Sequence, residues 1–162
     1  MIEILAIIFN LKTMDAAIRM LTPIALAAMG GTFSERSGII NIGLEGMILT
    51  GAFAGVLGSY ITESPWMGVL FAVIAGGLLG YIFAIFTVSF KANHVVAGVG
   101  VNILALGLTT WLMQIIWGSR GTSDSVKGLE VISIPVIKEI PIIGEIIGNQ
   151  SPLVYMMFIL VI

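Results

Sequence analysis

The sequence has no cysteine and a single histidine, His94, among its 162 residues. Without cysteine there is no disulfide, no thiolate nucleophile and no cysteine-based metal site. A lone histidine lacks a second His or Cys to share a metal, so His94 reads as a turn residue at a membrane interface. Ser34 and Ser37 lie beside Glu35, but one histidine far along the chain makes a weak triad. No G-x-x-x-x-G-K-[ST] phosphate loop occurs, so the chain cannot hydrolyse ATP by that route. The expectation is therefore no catalytic residue, no metal site and no cofactor; the chain does not read as an enzyme.

Charge is scarce as well. Only 10% of the residues are Asp, Glu, Lys or Arg, against roughly 25% in soluble domains. The net charge of −2 and the absence of any basic cluster argue against nucleic acid as a partner. Apolar residues fill the gap, at 58%, and the mean hydropathy is +1.11. That is the composition of an integral membrane protein with lipid around it. The expected fold is all-α, a polytopic transmembrane helical bundle with four full spans plus the start of a fifth. At this length residues 1–162 form a single transmembrane domain.

The stretch around which the chain is organised is Ser37-Gly38-Ile39-Ile40-Asn41-Ile42-Gly43-Leu44-Glu45-Gly46. It opens a run from Ile39 to Ile61 in which Glu45 is the only charge. Burying a carboxylate in hydrocarbon costs ~2.5 kcal/mol or more, so it needs a polar partner, a watery cavity or a neutral proton state. Asn41 lies four residues before it, and on a helix its amide would face Glu45. Gly43 and Gly46 leave room for a second backbone or for a break in the helix. The segment is thus expected inside the bundle, away from lipid.

The other spans follow from the uncharged runs. Met1 to Asn10 is about half of what a span of ~20 residues needs, and reads as an interfacial lead-in. The first span is expected at about 16–33, with Arg19 snorkelling to the interface. Pro23 is tolerable near its start, where helix N–H groups have no partner. The remaining spans are expected at about 39–61, 65–90, 94–117 and 153–162. Gly51 and Gly55, then Gly76 and Gly80, repeat a four-residue spacing that reads as close helix packing. Trp66, Trp111, Trp117, Tyr60 and Tyr155 fall near span ends, as an anchoring aromatic belt would. Residues 118–151 break the pattern with seven charges, Pro135 and Pro141. Between Val131 and Ile147 periodicity does not decide between extended pieces and an interfacial helix. The last run, Leu153 to Ile162, is too short to span, which favours truncation.

The residues Ser37 to Met47, running on into Gly51-Ala52-Phe53, resemble the signature of permease subunits of bacterial ABC importers. That family serves branched-chain amino acids, ribose-type sugars and nucleosides. Asn93 to Gly107 resembles the nucleoside branch. The likeness covers about Ala16 to Trp117 well and the rest more loosely, as an N-terminal half would. It implies a membrane permease translocating a small polar solute, with a nucleoside favoured over a simple sugar or a branched-chain amino acid. Implied partners are ABC ATPase subunits, a second permease subunit in a hetero- or homodimer, an extracytoplasmic substrate-binding lipoprotein and membrane lipid. Because the family's coupling loop is cytoplasmic and follows the fifth span, 118–151 would lie outside, with Arg36 and Lys91 inside. Asn41, Glu45 and Asn102 are the polar groups expected to line the substrate pathway or brace the helices. Gly43, Gly46, Gly51, Gly55, Gly76 and Gly80 are the expected packing positions. From other classes, a proton-coupled carrier using Glu45 as relay and a non-transporting scaffold remain as alternatives.

Overall fold

The computed structural model describes residues 10–134 and 147–161. The lead-in before Asn10 and most of Val131–Ile147 lie outside the described residues. Helix α1 covers Leu11–Arg36, α2 Leu44–Thr62, and α3 Pro65–Ala84, which continues as a π-helical turn, Ile85–Ser89. Helix α4 covers His94–Trp117. A two-residue strand β1, Ile132–Ser133, pairs antiparallel with β2, Asn149–Gln150, and α5 covers Pro152–Val161. Four stretches are long and apolar enough to cross a membrane: Thr13–Arg36, Leu44–Thr62, Pro65–Ser89 and His94–Trp117. The protein is a multi-pass membrane protein.

The ends of these helices are written in the sequence by short-range chemistry. Helix α1 closes on a Schellman turn: Ile39 N–H donates to Ser34 O at 3.1 Å and Gly38 N–H to Glu35 O at 2.9 Å. That turn needs a left-handed residue after the cap, and Gly38 supplies it at φ 85°. Pro65 opens α3 at a position where a missing N–H costs nothing. Asn93 caps α4, its side-chain oxygen accepting from Val95 N–H at 2.9 Å and Val96 N–H at 3.3 Å. Pro23 departs from expectation. Helix α1 begins at Leu11, so the proline lies well inside it and removes an internal backbone bond. Membrane helices tolerate such prolines where other groups compensate.

Two units are described separately. In Gly30–Gly128, α2 packs most extensively on α3 and also on α4. Leu79 and Phe83 of α3 and Val101 and Ala105 of α4 form its buried core, with Ile39, Met47, Ile82 and Ala97 packed around them. In the other unit, residues 10–29 join 129–134 and 147–161. Beside the buried apolar Val154 and Met157 it holds a polar cluster. Gln150 is fully buried, accepts from Arg19 Nε at 3.2 Å and donates from its amide to Asp15. Arg19 also pairs with Asp15 at 3.2 Å, so its guanidinium is engaged by protein rather than simply snorkelling. Tyr155 donates to Ile147 O at 2.7 Å and accepts from Gln150 N–H at 3.3 Å, which pins the strand pair to α5.

Candidate functional site

The organising stretch is not a continuous helix. After the turn at Gly38, residues 39–43 run without helical structure, and α2 starts at Leu44. The reason is local. Asn41 turns its side-chain oxygen back to accept from Gly43 N–H at 3.0 Å, a bond that competes with helix formation. Its amide nitrogen approaches Met47 Sδ at 3.7 Å. Asn41 and Glu45 therefore do not share a helix face. The expectation that the Asn41 amide meets Glu45 fails because Asn41 serves the turn instead.

The open start of α2 is completed from another helix. Gly43 occupies the cap position and offers no side chain, so the first-turn N–H groups need an outside acceptor. Asn102, eight residues into α4, provides one: its Oδ1 accepts from Gly46 N–H at 2.8 Å. The same amide donates from Nδ2 to Ile42 O at 3.1 Å. One side chain thus satisfies a donor inside the helix and an acceptor in the break before it. Non-helical backbone at membrane depth is stable only where protein or water satisfies it in this way.

Glycine makes that reach possible. A Cβ on Gly46 would lie 2.9 Å from Asn102 Oδ1 and 3.0 Å from Asn102 Cα. A Cβ on Gly98, one turn before Asn102, would lie 2.9 Å from Gly43 N. Gly98/Asn102 on α4 and Gly43/Gly46 on the break therefore form one crossing, with backbones in contact. Sequence reasoning left Gly98 out of the packing set. Its signal was the four-residue spacing to Asn102.

Along α2 and α3 the tightest positions are again ones the sequence reading did not select. A Cβ on Gly68 would lie 2.6 Å from Gly55 O, and one on Gly58 2.8 Å from the Phe71 side chain. Gly51 and Gly55 face Ala72 at 3.4 Å, while Gly76 and Gly80 face Met47 at 3.6 and 3.7 Å, ordinary contact distances. Gly55 and Gly68 belong to the same approach of two backbones, so the spacing pointed at the right seam.

Glu45 sits in the first turn of α2, exposed, with no hydrogen bond or ion pair among the described residues. A carboxylate there is favoured by the positive end of the helix. The expectation of a carboxylate enclosed by the bundle is not what the chain shows, since the face that Gly43 and Gly46 turn to α4 leaves Glu45 pointing away. His94 is the first residue of α4, half-buried beside its cap. No group of three potential metal ligands occurs among the described residues.

Farther along the α2–α4 seam lies a second feature. Trp117 packs edge-on against Phe53, with ring centroids 6.0 Å apart, and against Tyr60 at 5.6 Å. Beside this aromatic group is a cavity of about 190 Å³ lined by both helices. The buried indole N–H of Trp117 and hydroxyl of Thr50 have no partner among the described residues.

Residues 13–162 match the family model described as branched-chain amino acid transport system, permease component. The chain is 38% identical over 151 residues to the guanosine ABC transporter permease protein NupQ of Bacillus subtilis, an alignment covering 90% of this chain and 46% of that one. It is 34% identical over 138 residues to the nucleoside ABC transporter permease protein NupC of Lactococcus lactis, covering 82% and 43%. It is 31% identical over 141 residues to the putative glucose ABC transporter permease protein TsgC13 of Haloferax volcanii, covering 85% and 41%. The chain spans less than half the length of these relatives. No solved structure matches it.

Proposed function

The chain belongs to the permease-component family of branched-chain amino acid transport systems, and from that premise we propose that it serves an ABC importer of nucleosides. The single observation that carries the substrate class is the pair of relatives named for guanosine and nucleoside transport, each aligned along most of this chain. In this reading the protein makes and breaks no covalent bond. It offers a path through the bilayer and changes shape by alternating access. ATP hydrolysis belongs to separate ATPase subunits, and a second permease subunit and an extracytoplasmic binding lipoprotein complete the assembly.

The geometry supports a division of labour among the expected polar residues. Asn41 and Asn102 act as braces, because their amides are engaged with backbone at the break. Residues 118–151 lie outside the cell and Arg36 and Lys91 inside. The test is uptake of labelled guanosine by cells carrying the complete transport system, with and without this subunit. Uptake that depends on the subunit and is competed by inosine is the expected result; unchanged uptake without it would refute the proposal. The relative named for glucose favours a second reading, a simple sugar. Competition by glucose and not by inosine would select it.

A further inference from the structure

The seam between α2 and α4 is closed at one end and open at the other. At Gly43/Gly46 against Gly98/Asn102 the two backbones touch. Both helices run on in the same direction, and about two turns later they part around the cavity. Leu49, Phe53 and Val56 of α2 and Met113 and Trp117 of α4 form its walls, and the exposed Ser123 also lines it. Thr109 also lines it, but its hydroxyl is spent on Ala105 O at 2.7 Å, so the interior presents almost no polar atom.

We infer that this cavity seats the planar heteroaromatic base of a nucleoside, with the ribose at the mouth beside Ser123; the inference rests on the nucleoside reading above. Three features carry it. The volume exceeds the ~150 Å³ that accommodates a benzene ring in an engineered protein cavity, so an aromatic ring fits. Beside the aliphatic Leu49 and Val56, the walls include two aromatic rings and a thioether, soft polarisable surfaces that favour contact with a π-system. Ser123, exposed and without a hydrogen bond among the described residues, supplies a hydroxyl where a sugar would emerge. Apolar walls with a polar group at the rim are the usual form of a small-molecule site. Trp117, one of the lining residues, also carries a buried indole N–H with no partner among the described residues.

The test uses Trp117 as its own reporter. In the assembled importer carrying Trp66→Phe and Trp111→Phe in this subunit, both exposed positions, guanosine is titrated while Trp117 emission is followed. Saturable quenching by guanosine and by hypoxanthine, and none by ribose, is expected. Ala52→Phe, which fills the cavity from its exposed lining, should weaken the quench at least tenfold. Ser123→Ala should weaken guanosine and leave hypoxanthine unchanged. Two results would overturn the inference: no quench in a preparation that still imports guanosine, or quenching by lipids with brominated acyl chains that guanosine does not relieve. Quenching does not require transport. A preparation that imports no nucleoside but is quenched saturably by guanosine would sink the transport reading and leave the site standing.

Discussion

Replacing Asn102 by Leu removes both bonds of the cross-helix brace while keeping a side chain of similar size. Gly46 N–H and Ile42 O, which Asn102 holds at 2.8 and 3.1 Å, then lose their partner. Each bond is worth about 1 kcal/mol net, and a buried group left unpaired costs ~1–3 kcal/mol. Interhelical bonds measured in membranes average only ~0.6 kcal/mol, which sets a floor near 1 kcal/mol for the pair. Gly46 is buried against α4, so its N–H is the group left unpaired in a buried setting, whereas the bond to Ile42 O lies at the exposed side. The loss should therefore fall above the floor, at about 2–4 kcal/mol. For a chain of this size that lowers the midpoint of thermal unfolding by roughly 4–16 °C.

Asn102→Asp separates the two halves of the brace. The carboxylate still accepts from Gly46 N–H, and near the positive end of α2 its charge gains ~0.3–1 kcal/mol. It can no longer donate to Ile42 O and confronts that carbonyl instead. Asp should thus fall between wild type and Leu. Thermal aggregation of the purified protein in detergent, followed by size exclusion, gives the order. A Leu variant within about 1 kcal/mol of wild type would show that Asn102 does not cap α2, whatever the distances suggest.

Among the glycines, Gly46→Ala and Gly68→Ala should each lose ~1–3 kcal/mol by overpacking against backbone, whereas Gly77→Ala, with nothing within 4 Å of its Cβ, should be neutral; equal stability for all three would deny the close approaches. Glu45→Gln should express and transport at a substantial level, because the carboxylate is exposed and makes no bond among the described residues; a well-expressed but inactive Gln variant, together with wild-type uptake that follows the proton gradient, would support the carrier. Ser125→Cys, exposed in a chain with no native cysteine, should react with an impermeant maleimide from outside intact cells, and labelling only in inverted vesicles would reverse the orientation.

The spanning helices were legible because hydrocarbon imposes a simple rule: long runs without charge, closed by turns rich in glycine, proline or asparagine. Of the aromatic residues expected as anchors, Trp66, Trp111 and Tyr60 are exposed, whereas Trp117 packs on Phe53 and Tyr60 and Tyr155 is bonded to Ile147 and Gln150. What stayed hidden is what depends on a partner distant in sequence. Counting from Ile39 gave a helix through Asn41, since no charge, proline or second polar residue interrupts Ile39 to Leu44. The Asn41 side chain folds back on Gly43 instead, and the bonds that make a late start affordable come from Asn102, some sixty residues away. The Asp15–Arg19–Gln150 cluster was invisible for the same reason.

The glycine spacings show where this limit comes from. A pair four residues apart says that one face of a helix is bare; it does not say which bare face meets which backbone. Gly76 and Gly80 have that spacing and rest at ordinary distance on Met47, whereas Gly58 and Gly68 lack it and mark the tightest approach to α3 and α2. Spacing describes one helix, and crossing geometry belongs to two. Asn102 shows the difference most plainly. Taken alone on α4 it is a polar residue in an apolar run, equally suited to a pathway wall or a brace. With Gly46 and Ile42 opposite, both ends of its amide are occupied. That engagement leaves the amide one N–H and one lone pair, so as it stands Asn102 braces the start of α2 first, and losing its two bonds would loosen that break.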